Sequence, residues 1–321
     1  MKLGVMNPII SNLSFEDALK YLSSLGVQTI EIGAGGYPGD AHLKPEELLA
    51  SEDNVAAYKA LLKKYNIEIS ALSCHGNPLH PQKAIAEAFD QQFRNTILAA
   101  EALGVDTVIG FSGCPGDCEN SLYPNWVVCP WPDDNLRILE WQWKEKIIPY
   151  WTEMAAFAKS HGITKIAFEM HPSFAVYNPE TLLKLRAAVG DIIGANFDPS
   201  HLYWQGIDPA EAIRALKGAI YHFHAKDTCI NQRNTAINGV LDTKSYGDVE
   251  NRAWVFRTVG YGHGKEEWNR MVSMLKTVGY DGVLSIEHED SLMTAREGLE
   301  KAVAFLKDVL IFDEGGASGW F

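Results

Sequence analysis

Short apolar runs of strand character recur along the chain with amphipathic helical runs between them, the alternation that builds an α/β fold around a parallel sheet. Eight such runs stand out: KLGVM from Lys2, QTIEIGA from Gln28, EISALSC from Glu68, DTVIGFS from Asp106, KIAFEMH from Lys165, IGANFDP from Ile193, IYHFHAK from Ile220 and GVLSIEH from Gly282. Helix starts are marked where Asn178-Pro179 and Asp208-Pro209 set a cap before proline, and where Thr294 and Glu297 form a capping box. In the last helix Leu299, Val303, Leu306 and Leu310 fall on one face. Eight strand-helix units with no G-x-G-x-x-G turn after the first strand favour a closed (β/α)8 TIM barrel over an open doubly wound sheet. The chain reads as one barrel domain over 1–321, with an irregular tail at 311–321. Two connections exceed simple turns, 113–143 after the fourth strand and 228–265 after the seventh. Loops of that length commonly act as lids or binding loops.

Side-chain alternation within the last four of these strands sorts their residues onto two faces. Ile166, Phe168, Met170, Phe197, Tyr221, Phe223, Leu284 and Ile286 form the bulky face that should meet the helices. Left pointing inward are Ala167, Glu169 and His171, then Asn196 and Asp198, then His222, His224 and Lys226, then Ser285, Glu287 and Glu289. Glu169 to Asp198 is 29 residues and Asp198 to His224 is 26, each close to one β/α repeat, while the 63 residues from His224 to Glu287 absorb the second long connection. Glu169, Asp198, His224 and Glu287 therefore converge at the mouth as a mixed oxygen and nitrogen set for one divalent metal. Mn2+ fits first, with Mg2+, Co2+, Zn2+ and Fe2+ as alternatives. Without a cation, carboxylates packed this closely would repel one another. Glu31 also points into the barrel, with no role assigned. His75, His171, His201 and Lys226 are candidates for substrate contact or for support of the ligands. Trp131 could stack on a sugar face, and Arg233 and Arg257 lie after the seventh strand, where barrels often hold phosphate.

The 321 residues are 46% hydrophobic and 21% charged, the balance of a globular protein, and the net charge of −13 leaves no basic footprint for nucleic acid. No apolar run reaches the ~20 residues of a membrane span, and MKLGVMNPII lacks the layout of a signal peptide, so no membrane partner and a cytoplasmic location are expected. The five cysteines read as reduced; Cys114, Cys118 and Cys129 share a loop without the close pairs of a zinc site. The expected partner is a small carbohydrate.

Four segments carry a family resemblance: Phe168-Glu169-Met170-His171-Pro172, Asn196-Phe197-Asp198-Pro199-Ser200-His201, His222-Phe223-His224-Ala225-Lys226-Asp227 and Ser285-Ile286-Glu287-His288-Glu289. The chain resembles the xylose-isomerase-like barrel superfamily, in the branch of sugar phosphate isomerases and epimerases, alongside ketose 3-epimerases and inosose dehydratases. The resemblance implies that Glu169 and Glu287 bind metal and also exchange substrate protons. It implies that His201 helps bind substrate and that the protein forms a homodimer or homotetramer; Asp227, beside Lys226, is a further candidate for substrate contact. Where those epimerases carry an arginine six residues beyond the histidine ligand, this chain has Ile230. The implied activity is that of a divalent-metal-dependent sugar or sugar phosphate isomerase or epimerase, working through proton abstraction beside a carbonyl and a metal-stabilised enediolate. Two alternatives stay open: a lyase or dehydratase acting by β-elimination on a keto-sugar, inosose or glycoside derivative, with His171 as acid or base, and a sugar-binding barrel without turnover. Zinc endonucleases of the same superfamily need a His-rich multimetal site and a basic surface, which the charge disfavours.

Overall fold

Ten strands form in the computed structural model, which describes residues 1–315. They are β1 (Lys2–Met6), β2 (Thr29–Gly33), β3 (Glu68–Ser73), β4 (Thr107–Gly110), β5 (Lys165–Glu169), β6 (Ile193–Phe197), β7 (Ile220–Ala225), β8 (Asp227–Ile230), β9 (Trp254–Arg257) and β10 (Val283–Ile286). Eight of them, one in each predicted run, close into a parallel barrel in the order β1-β10-β7-β6-β5-β4-β3-β2. Helices alternate with the strands, so the chain is a (β/α)8 TIM barrel. Asn178, Asp208 and Thr294 cap their helices through side-chain oxygens, as their sequence positions imply.

Two layers of packing follow from the alternation. Phe168, Phe197, Phe223, Leu284 and Ile286 are buried between the barrel and the helices, where Phe168 meets Trp151 edge to face at 4.4 Å. Each such side chain contributes about 1.5–3 kcal/mol when fully buried. A smaller cluster of Ala71, Ile109 and Ala167 fills the barrel interior. Small residues there leave room for the polar groups above them.

Tyr221 departs from its expected outward position and packs against that interior cluster. Between β6 and β7 the register runs from Ala195 opposite Ile220 to Asn196 opposite His222, so Tyr221 is the extra residue of a bulge. A bulged residue leaves the alternating pattern. Ser70 is the corresponding extra residue on β3, between Ile69 and Ala71, and its hydroxyl lies 3.2 Å from His222 Nε2.

The two long connections carry structure of their own. The helix Asp134–Trp141 begins inside the stretch expected to be loop, and β8 and β9 pair as an antiparallel hairpin with the helix Gln232–Asn238 between them. Residues 311–315 hold no helix or strand, and 316–321 lie outside the described residues. All five cysteines are free thiols, Cys74 and Cys114 buried and Cys118 and Cys129 exposed. Among the described residues no helix is long and apolar enough to cross a membrane.

Candidate metal and substrate site

The four expected ligands come from the ends of four neighbouring strands. Glu169 is the last residue of β5, Asp198 follows β6, His224 is near the end of β7 and Glu287 follows β10. One donor atom from each lies within 4.8 Å of the other three. Glu169, Asp198 and His224 are buried, whereas the Glu287 side chain is 15% exposed and reaches the cavity above them.

Hydrogen bonding decides how these groups present themselves. His224 Nε2 lies 2.8 Å from Glu31 Oε2, and Glu31 in turn accepts from the hydroxyls of Ser73 and Ser285. With its proton on Nε2, His224 turns the Nδ1 lone pair toward Glu287 Oε2 at 2.8 Å and Glu169 Oε2 at 3.3 Å. In that form His224 Nδ1 and Glu287 Oε2 are buried acceptors without a hydrogen-bond donor, while Asp198 Oδ2 faces the Lys226 ammonium at 3.1 Å and His201 Nε2 at 3.2 Å. Buried acceptors facing one another are costly unless something positive lies between them. A divalent cation meets that requirement, and the donor set of three carboxylates and one imidazole suits it.

The same crowding perturbs the acid-base balance. Burial pushes Glu287 up, but Lys226 and His224 outweigh it and hold its carboxyl at about 2. Burial works against a charged His224, yet Glu31, Glu287 and Glu169 raise it well above the ordinary histidine value, so without a cation Nδ1 holds a proton that metal binding would displace. Glu169 is lowered despite its burial, chiefly by His201, with His75 and, when Nδ1 carries a proton, His224 also donating to it. His201 Nε2 sits 2.9 Å from Glu169 Oε1 and 3.2 Å from Asp198 Oδ2, so it braces two ligands from below and does not line the cavity. His75 Nε2 lies 3.0 Å from Glu169 Oε2 and does line it. Gly36, at φ 66°, lets the loop after β2 close on the His75 backbone, where Tyr37 N–H donates to the His75 carbonyl at 2.8 Å.

His171 stands over this floor. Its Nδ1 donates to the Pro172 carbonyl, which leaves Nε2 as the free nitrogen, and its ring lies 4.1 Å from that of His201. Burial lowers its pKa, with Glu169 opposing, so the neutral imidazole is favoured near pH 7. Lys226 Nζ is shared by Glu287 at 3.0 Å and by Asp198 and Glu289 at 3.1 Å each.

Other candidates stand elsewhere. Asp227 accepts the backbone N–H groups of Gly260, Gly262 and His263 at 3.1, 3.1 and 2.9 Å, which pins the segment leading to the next helix and keeps the carboxylate out of the cavity. Trp131 is 75% exposed on the connection after β4 and does not line the cavity. Arg233 lies exposed on the helix Gln232–Asn238, and Arg257 is tied to Asp290 at 3.0 Å. Trp131 and Arg233 lie outside the strands, and Arg257 ends a strand of only four residues, so the sequence pattern could not place them.

Glu31 is the functional position that sequence reasoning left without a role. Ile30 and Ile32 pack outward, so the alternation that exposes Glu169 to the interior does the same for Glu31. Carboxylates that hold the far nitrogen of a ligating histidine fix its tautomer and ring orientation. Glu31→Gln is therefore expected to weaken divalent-metal binding by about 10–100-fold with the fold intact. Competition with a chelating metal indicator measures this, and an unchanged affinity would show that Glu31 only fills space.

A closed barrel gathers three carboxylates and an imidazole at its C-terminal mouth, a set that could hold a metal ion. The chain belongs to the xylose isomerase-like TIM barrel family, whose sequence profile matches residues 19–309. It is 39% identical over 312 residues to the protein YfiH of Bacillus subtilis, covering 97% of this chain and 99% of that one. It is 29% identical over 154 residues to an inosose isomerase of Halalkalibacterium halodurans, covering 47% and 48% of the two chains. Among solved structures, the IolI protein with a bound zinc atom superposes with a TM-score of 0.65 at 21% identity, over 97% of this chain and 98% of that one, a likeness of fold.

Proposed function

We propose that this protein is a divalent-metal-dependent isomerase or epimerase of a sugar or sugar derivative, with Glu169, Asp198, His224 and Glu287 as ligands and Mn2+ as the preferred ion. One observation carries the reading: Glu169, Asp198, His224 and Glu287 bring one donor atom each within 4.8 Å of the others under a cavity of about 560 Å3, with His224 Nδ1 and Glu287 Oε2 buried and without hydrogen-bond partners. A cation held there supplies Lewis-acid polarisation of a substrate carbonyl, which acidifies the neighbouring C–H bond. Glu287, ionised and open to the cavity, accepts the carbon proton. Glu169, braced by His201 and His75, orients the opposite side of the reacting group, and Lys226 holds Asp198, Glu287 and Glu289 in place at the cavity. The inosose isomerase relative supports an isomerase over a passive binding barrel.

Incubation of the Mn2+-loaded protein with keto-sugars in D2O tests this. Deuterium incorporated at carbon into an epimer or isomer is the expected outcome. Absence of carbon-bound deuterium across the series, with the metal verified in place, would contradict it. A second reading, elimination to an unsaturated product, draws on the free Nε2 of His171, a group that proton exchange between two carboxylates does not use. An unsaturated product would select that reading.

A further inference from the structure

Polar groups at this site are confined to the floor and one edge of the cavity. Glu169, Glu287, His75 and Lys226 form the floor, His171 stands over it, and His288 and Glu289 lie at the edge. Above them the lining turns apolar and aromatic. On one side Phe111 stacks on Phe174 with centroids 4.2 Å apart and faces Tyr37 at 6.2 Å. Phe256 and Tyr246, stacked at 5.5 Å with the Lys226 ammonium 4.7 Å from the Phe256 ring centre, come from the hairpin region after β7, which lies three places from both β2 and β4 around the ring. Two aromatic walls thus stand over one polar floor.

Size and charge narrow what fits. At ~30 Å3 per water-sized group, the cavity of about 560 Å3 holds roughly 19 such groups, against about twelve non-hydrogen atoms in a hexose. A bare monosaccharide would leave the walls facing water. Lys226 is the one cation in the lining, and its ammonium is already shared by Asp198, Glu287 and Glu289. Arg257 is committed to Asp290, and the Arg252 guanidinium is held between Tyr246 and Trp254, 4.4 and 4.7 Å from their rings. Glu289, half exposed at the edge, adds a negative charge where an anionic substituent would project. No uncommitted cation offers itself to a phosphoryl group.

We propose that the substrate is an uncharged sugar derivative bearing an apolar ring substituent, with the sugar on the polar floor and the substituent between the Phe111/Phe174 and Phe256/Tyr246 walls. This rests on the sugar-site reading above and excludes a sugar phosphate. A planar apolar ring suits the apolar surface of the Phe111/Phe174 pair and the ring edges of Phe256 and Tyr246, and its burial displaces water from surface that hydroxyls cannot satisfy.

Calorimetric titration of the Mn2+-loaded protein provides the test, with D-glucose, D-galactose, their 4-nitrophenyl β-glycosides and D-glucose 6-phosphate as probes. At least one aryl glycoside is expected to bind about 10–100-fold tighter than its parent sugar, and the phosphate ester weaker than glucose. Phe111→Leu and Phe256→Leu, which keep apolar bulk but remove the ring, are expected to erase most of the aryl advantage and to change parent-sugar affinity by less than about threefold. Tighter binding of the phosphate ester than of glucose, or no aryl advantage in either series, would overturn the proposal and leave the sugar site standing. Failure of every sugar and glycoside to bind would remove the sugar-site reading itself, and the proposal with it.

Discussion

Glu287→Gln is expected to lower turnover by about 10²–10⁴-fold, the range lost when a positioned general base is removed, while substrate affinity changes far less. The side chain follows β10, places Oε2 2.8 Å from His224 Nδ1, and is the most exposed of the four ligands. Lys226 and His224 keep it ionised against the effect of burial. A glutamine occupies the same volume and can still offer an oxygen to the cation, but it cannot accept a proton. Because the loss falls on proton transfer, it should appear in kcat and in kcat/KM together. Metal content has to be measured on the same preparation, since a weaker ligand also reduces loading. A metal-loaded variant with ordinary turnover would remove Glu287 from proton transfer.

His171→Ala is expected to keep the metal and lose about 10²–10³-fold in activity. Its imidazole is not within the ligand set of Glu169, Asp198, His224 and Glu287, so loading should survive its removal. What is lost is a nitrogen with a free lone pair in the cavity, oriented by the Pro172 carbonyl on its other side and flanked by Phe111 at 5.0 Å. Such a group can take a proton from a hydroxyl or give one to a departing oxygen. His171→Ala with full activity on the true substrate would reduce this residue to packing beside His201, and the elimination reading would lose its main support.

Much of this site is legible in the sequence because barrel strands present their bulky apolar residues to the helices. Phe168, Phe197, Phe223 and Ile286 fix the parity, and Glu169, Asp198, His224 and Glu287 follow from it. The same rule, applied to β2, would have placed Glu31 beneath His224. It would also have separated Asp227 from Lys226, because adjacent residues on a strand point to opposite faces. The rule fails at Tyr221, where a bulge adds a residue that no local preference announces. The β8–β9 hairpin was hidden for another reason. One residue, Lys226, separates β7 from β8, and WVFR is too short to show a period. The aromatic walls are invisible to the pattern, since Tyr37, Phe111, Phe174, Tyr246 and Phe256 meet only after loops from distant parts of the chain fold over the mouth.

Elemental analysis of the purified protein after growth with Mn2+, with Asp198→Ala carried in parallel, bears most directly on the metal centre at the heart of this account. Asp198 is fully buried and does not line the cavity, so its removal should cost metal without opening the cavity. The expected result is about one divalent ion per chain in the native protein, from the single four-ligand set, and a large loss in the variant. Stoichiometry near zero in the native protein, or full loading of Asp198→Ala, would contradict a metal centre at this site.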